Sequence, residues 1–216
     1  MRHEEEPTAR RDPPGERQFT SGNTRPFGRV DAVFLDRDGV ISEQTAFVNR
    51  PEELVLIDGA AEAIARLNRA GLPIVVITNQ GGIAMGHLTE ETLGRIHERL
   101  ERLLADADAH VDAIYHCPHM PNATVTKYLK DCPCRKPRIG MFERASEKLG
   151  IDPRRSYMVG DATTDILAGQ RAGCFTILVE TGFAGKDGKA IAVPDLVVPD
   201  LQAAADYILR DLQTKE

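Results

Sequence analysis

From Val30 onward, short apolar runs alternate with stretches whose apolar residues recur at intervals of three and four. The runs VDAVFLD, LPIVVITN, HVDAIYHC, SYMVGD and CFTILVE are each bounded by turn or polar residues, which is the pattern of buried strands. Between them, GAAEAIARLNRAG, LTEETLGRIHERLERLLADA, GMFERASEKLG and TTDILAGQRAG carry the helical spacing, with Gly, Thr or Asp at their ends. Thr89 with Thr92 after it, and Glu90 and Glu91 in the first turn, put an acceptor and negative charge where free helix N–H groups need them. The closing PDLVVPDLQAAADYILRDL adds a short strand and a last helix.

Such alternation predicts an α/β fold, a mostly parallel sheet with helices on both faces. Ligands of open parallel sheets bind beyond the carboxyl ends of the strands. Reactive residues should therefore follow the apolar runs directly. They do so four times, as Asp36, as Thr78 with Asn79, as Cys117 with His119, and as Asp161.

Residues 1 to 28 break the pattern. They are rich in Arg, Glu, Pro and Gly, with Phe19 and Phe27 as their large apolar groups, and cannot offset the entropy of ordering. They read as a flexible extension, leaving residues 29–216 as one catalytic domain. The 216-residue length supports one good core and no second large domain. A formal charge of −6 argues against a protein that holds nucleic acid or an anionic membrane surface. No run approaches the roughly 18 apolar residues of a membrane span, and the N-terminus lacks the apolar stretch of a secretory signal. A soluble, cytoplasmic monomer acting on a small anionic molecule is the expectation, with no exposed apolar seam to call for a partner chain.

The first run ends in Phe34-Leu35-Asp36-Arg37-Asp38-Gly39-Val40, two carboxylates two residues apart where the chain must turn. Alone, Asp-x-Asp-Gly is also the pattern of a charged turn. Acids crowded at a strand end repel and lose hydration, so a bound cation is the expected partner. Asp161, in Gly160-Asp161-Ala162-Thr163-Thr164-Asp165, brings a further carboxylate to the same edge, and with Asp36 suits Mg²⁺. This set matches what a phosphate ester requires, because its hydrolysis needs charge neutralisation, alignment and a split into two steps. Asp36 would be the nucleophile, and Asp38 the acid and then base, with a pKa raised relative to its neighbour. Thr78 and Asn79 would donate to phosphate oxygens, and Lys136 would neutralise developing charge. Asp165 either supports the metal or caps a helix. Arg37 is expected on the opposite side of the extended segment from both aspartates, holding the turn.

The motifs DRDGV, ITN, RKP and GDATTD, in that order, resemble those of the haloacid-dehalogenase (HAD) superfamily phosphatases. The resemblance implies a Rossmann-like core and the same roles for Asp36, Asp38, Thr78, Lys136 and Asp161. It also implies a metal contact through the backbone carbonyl of Asp38. A second aspartate favours phosphate esters, since dehalogenases and phosphate-coupled pumps of the superfamily lack it.

Three of the four cysteines lie beside two histidines. Cys117-x-His119, twelve residues, then Cys132-x-Cys134 supply three thiolates and an imidazole, the ligand count of a closed structural zinc site. The parallel spacing favours His119 over His116. Such a site would staple a loop at about 116–135 and leave no open position for catalysis. Cys174, in an apolar run, reads as a core residue.

With FVNRPEELVLIDGA, TNQGGIAMG, YHCPH and CPCRKP, the chain resembles the zinc-containing branch of the superfamily, which includes heptose-bisphosphate and histidinol phosphatases. The branch has no large cap domain, and its zinc loop shapes the substrate entrance. The resemblance implies a sugar phosphate as substrate, histidinol phosphate or another small phosphomonoester being the alternative; a catalytically idle phosphate-binding protein is the reading outside enzymes. Arg135 would clamp a second phosphate. The chain departs from the branch at Met85, where Arg is common, at Ala162, where Lys is frequent, and at Arg138-Ile139, where x-Pro is usual. Arg138 either replaces the missing charge or is a solvated loop residue. Arg95, Arg99 and Arg102, beside Glu98 and Glu101, read as an exposed ion-pair face.

Overall fold

The computed structural model describes residues 30–213. The extension expected at residues 1–28 lies outside them. Along the chain come β1 (Ala32–Leu35), α1 (Ala60–Arg69), β2 (Ile74–Asn79), the single turn α2 (Gly81–Ala84), α3 (Glu90–Ala105) and β3 (Ala113–Cys117). They are followed by α4 (Gly140–Leu149), β4 (Ser156–Gly160), α5 (Thr163–Ala172), β5 (Phe175–Val179), β6 (Leu196–Val198) and α6 (Leu201–Gln213). Every apolar run and every helical stretch of the sequence reading is present. Short α2 was not anticipated, because four residues of GGIA carry no helical period.

The strands form one parallel sheet in the order β3-β2-β1-β4-β5-β6. The chain steps outward from β1 through β2 to β3, then returns to the other side of β1 as β4. That reversal opens a crevice between the carboxyl ends of β1 and β4. Asp36 and Asp161 are the first residues beyond those two ends.

Period-two alternation divides the core into two layers. Val33 and Leu35 face Ile64 and Leu67 of α1, Ile96 and Leu100 of α3, and Ile208 of α6. Ala32 and Phe34 face Met141 and Phe142 of α4 and Ala168 of α5. Because both faces are covered, β1 is buried throughout and its sequence reads as an unbroken apolar run. Cys174 belongs to the second layer. At the start of α3, the Thr89 hydroxyl accepts from the Thr92 N–H at 3.0 Å. Among the described residues, no helix is long and apolar enough to cross a membrane.

The Phe34 ring, fully buried, lies 4.7 Å from that of Phe142. Phe34→Ala is expected to lower unfolding free energy by about 3–5 kcal/mol in urea titrations. A loss below about 1 kcal/mol would mean that this layer is not close-packed.

Candidate active site

A cavity of about 440 Å³ opens at the β1/β4 crevice, and Asp36, Asp38, Asn79, Arg135, Lys136, Asp161 and Asp165 are among its lining residues. Its electrostatic centre is the Lys136 ammonium. Buried almost completely, Lys136 Nζ lies 3.0 Å from Asp36 Oδ1 and 2.8 Å from Asp165 Oδ1, and donates to the Ile77 carbonyl at 2.7 Å. One ammonium thus faces several carboxylates, because oxygens of Asp36, Asp161 and Asp165 all fall within 4.8 Å of one another. Asp161 Oδ2 accepts from the Phe183 N–H at 2.7 Å, whereas its Oδ1 is buried without a hydrogen-bond partner. A buried orphan oxygen in a cluster of hard donors is what a divalent cation would satisfy, so the donor set fits Mg²⁺.

Close approach to Asp161 also explains two glycines. A Cβ on Gly39 would lie 2.2 Å, and one on Gly182 2.1 Å, from Asp161 Oδ2. Both residues have positive φ, at +85° and +60°, so the two turns can pack directly on the carboxylate.

Crowding sets the protonation of the cluster. Burial pushes Asp36 up to about 7, against the pull of Lys136 and with a further push from Asp165 and Asp38. Burial, then Asp36 and Asp165, push Asp161 up to about 8. Without metal these two carboxyls therefore hold protons that the unfolded chain has released, and their contribution to stability falls as pH rises between 3.8 and about 8. His97, pushed down from 6.5 to about 3, acts in the opposite direction below pH 6.5, so the melting temperature of metal-free protein should drop between pH 6.5 and about 8, and Mg²⁺ should recover most of that loss. A profile that rises with pH over that range, or one insensitive to Mg²⁺, would contradict a cation-binding cluster.

Asp38 behaves in the opposite way to the sequence expectation. Burial acts to raise its pKa, but the Arg37 guanidinium and hydrogen bonds from Gln80 and Ser42 hold it below the usual value. Arg37 does not point away from Asp38. Its side chain is fully buried and turns back, with Nε 2.9 Å from Asp38 Oδ1 and Nη2 2.8 Å from Oδ2. Arg37 Nη1 approaches Nε2 of His97 on α3 at 3.4 Å. The His97 imidazole is pushed down to about 3, by burial and then by Arg37, and so stands as a neutral acceptor. Gln80 Nε2 donates to Asp38 Oδ2 at 2.9 Å and Ser42 Oγ to Oδ1 at 3.1 Å. Neither was singled out in the sequence, although Gln80 directly follows the β2 motif.

The two expected phosphate donors, Thr78 and Asn79, are held by a neighbouring side chain and by backbone. Thr78 is buried, is not among the cavity's lining residues, and accepts from Gln80 Nε2 at 2.8 Å. Asn79 lines the cavity, but its amide brackets the Lys136 backbone, accepting from Lys136 N–H at 3.0 Å and donating to Lys136 O at 3.1 Å. That bracket fixes the peptide of the residue whose ammonium neutralises the site. Asp165 stands at the start of α5, where its Oδ2 accepts from the Ala162 N–H at 3.1 Å, while its Oδ1 faces the Lys136 ammonium.

Cys117, His119, Cys132 and Cys134 converge, with one ligand atom of each within 4.8 Å of the others. His116 lies apart, 3.9 Å from Glu90. The Cys132 and Cys134 sulfurs are 2.8 Å apart, and Cys117 Sγ is 3.8 Å from His119 Nδ1. A hydrogen bond with Cys134 pulls the Cys117 thiol down, while that bond and burial push Cys134 up. Three thiols and an imidazole at one point fit zinc. Arg135 follows at once, lines the cavity, and donates from Nη1 to the His119 carbonyl at 3.1 Å. Arg138 is exposed and paired with Asp131, which is the solvated-loop reading. Arg95 pairs with Glu91 at 3.8 Å, and Arg102 donates to the Glu98 carbonyl.

Residues 133–204 match the family model described as HAD-hyrolase-like. A heptose-1,7-bisphosphate 7-phosphatase (D-glycero-beta-D-manno form) from Escherichia coli O6:H1 is 39% identical over 85% of this chain and 90% of its own. Its counterpart from Vibrio cholerae serotype O1 is 40% identical over 83% of this chain and 96% of its own. Among solved structures, a D,D-heptose 1,7-bisphosphate phosphatase from B. bronchiseptica, complexed with magnesium and phosphate, superposes with a TM-score of 0.76 at 37% identity. The match covers 84% of this chain and 99% of that one. The chain belongs to the HAD-like hydrolases and, within them, to the family of the heptose-1,7-bisphosphate 7-phosphatases, phosphoric monoester hydrolases built on a Rossmann-like parallel sheet.

Proposed function

We propose that this protein is a Mg²⁺-dependent sugar phosphatase that removes the 7-phosphate of D-glycero-D-manno-heptose 1,7-bisphosphate through an aspartyl phosphate, an acyl phosphate, on Asp36. The observation that carries the reading is the contact of the buried Lys136 ammonium with Asp36 and Asp165, beside the orphaned oxygen of Asp161. Asp36, Asp161 and the Asp38 carbonyl would hold Mg²⁺, which supplies positive charge to the transferred phosphoryl group. Cys117, His119, Cys132 and Cys134 would hold a structural Zn²⁺.

Asp36 attacks phosphorus, and the sugar oxygen leaves with a proton from Asp38. Water then attacks the aspartyl phosphate, and Asp38 takes the water's proton, so that inorganic phosphate is released, the Asp36 carboxylate is restored and Asp38 is again the protonated acid that the next first step needs. The Arg37 clamp sets Asp38 as the base of the second step. A dianionic phosphate beside Asp38 raises its proton affinity for the first step. Lys136 neutralises charge on the transferred group and Arg135 binds the substrate from the stapled loop.

Phosphate release from heptose 1,7-bisphosphate, heptose 7-phosphate and histidinol phosphate, measured side by side with Mg²⁺, tests this assignment. The bisphosphate should exceed histidinol phosphate by about 100-fold or more in kcat/KM. A preference for histidinol phosphate would overturn the substrate, and failure to hydrolyse any of the three would overturn the reading.

A further inference from the structure

We infer that Lys189 binds the non-reacting phosphate of a bisphosphate substrate and so sets the preference of the site; this inference rests on the phosphatase reading above. Three cations line the catalytic cavity: Arg135, Lys136 and Lys189. Lys136 is committed to two carboxylates and a carbonyl. Arg135 has one nitrogen on the His119 carbonyl. Lys189 makes no ion pair among the described residues, and its ammonium sits 5.3 Å from the centre of the Phe183 ring, itself a lining residue. Its charge is thus available to an anion in the cavity.

An exposed lysine on a free loop would carry no positional information. The loop bearing Lys189 is not free. Phe183 N–H bonds Asp161 Oδ2 and Gly185 N–H bonds the Asp161 carbonyl, each at 2.7 Å. Further along, Asp187 Oδ1 accepts from Thr163 N–H at 2.8 Å and Ala190 N–H donates to Thr163 Oγ1 at 3.0 Å. The segment is therefore tied to the β4–α5 junction on both sides of Lys189, the last bond at its immediate neighbour. Asp161 and Thr163 belong to the same short stretch that delivers Asp161 and Asp165 to the carboxylate cluster, so the backbone that carries Lys189 is anchored beside the reacting end.

Charge balance gives this cation its purpose. The reacting end holds Asp36, Asp161 and Asp165 against one lysine, so a second phosphate has to lie away from it. A cavity of about 440 Å³ has room for a sugar carrying a phosphate at each end. A hydrated ammonium on a flexible stem suits a terminal phosphate at the rim.

The test compares Lys189→Ala with wild type on heptose 1,7-bisphosphate and on heptose 7-phosphate. We expect kcat/KM for the bisphosphate to fall about tenfold or more, mainly through KM, as loss of one charge-assisted hydrogen bond implies. Turnover of the monophosphate should change less than about twofold, and Lys189→Arg should restore most of the loss. Equal losses on both substrates, or no loss on either, would overturn the inference. Calorimetric binding of the bisphosphate separates the two readings. If wild type binds it without hydrolysis, the phosphatase reading fails, and tenfold weaker binding by Lys189→Ala would still uphold the role of Lys189; unchanged binding, or none by wild type, would end it.

Discussion

Asp36→Asn is expected to abolish turnover, with kcat falling by about 10⁴-fold or more, while the fold survives. The substitution keeps the shape of the side chain and removes the anionic oxygen that attacks phosphorus. Its structural cost is small because Asp36 sits in a cluster with an excess of negative charge. An uncharged amide there relieves repulsion on Asp161, whose raised pKa owes its second-largest push to Asp36. Metal-free Asp36→Asn should therefore melt no lower than wild type above pH 8, beyond the raised values of both carboxylates in the wild type. An activity above about a tenth of wild type would remove Asp36 from the role of nucleophile.

Cys134→Ser is expected to have the second-largest effect, on stability and activity together. Cys117 ends β3, whereas Cys132 and Cys134 immediately precede Arg135 and Lys136. Zinc would join these two stretches and hold Lys136 beside Asp36 together with the Asn79 bracket. Structural zinc commonly contributes many kcal/mol to a small folding unit. Purified wild type should carry about one Zn per chain. The variant should lose it, melt about 10 °C lower or more, and lose most activity even with Mg²⁺ in excess. Wild-type protein free of zinc, or a variant with an unchanged melting temperature, would contradict the staple.

Much of this was legible in the chain because the relevant signals are local. Central strands covered on both faces produce unbroken apolar runs, so β1, β2 and β4 announce themselves, and the first polar residue after each falls in the ligand crevice. The close Cys-x-His and Cys-x-Cys pairs are likewise local, and their convergence followed the spacing. What escaped depends on turns and on distant partners. Alternation along an extended strand put Arg37 opposite Asp38, but the chain already turns there, with the N–H groups of Ile41 and Ser42 both donating to the Arg37 carbonyl. Thr78 and Asn79 were singled out by motif, but the contacts that hold them were not: Gln80 donates to the Thr78 hydroxyl oxygen, and the Asn79 amide brackets the Lys136 backbone. Nothing around Lys189 marks it, because its position is set by hydrogen bonds to residues on another strand-to-helix junction.

These corrections reassign roles without moving the site. Arg37 grips Asp38 and favours its carboxylate before substrate binds, Asn79 holds the lysine in place, and the Lys136–Asp36 contact remains at the centre. The most direct measurement is chemical trapping of the intermediate. Enzyme mixed with heptose 1,7-bisphosphate and Mg²⁺, quenched within a turnover and reduced with borohydride, should yield homoserine at position 36 in peptide mass spectra. The signal should vanish in Asp36→Asn and when Mg²⁺ is withheld. Rapid turnover by wild type with no modification at Asp36, or with the label at another residue, would contradict the account.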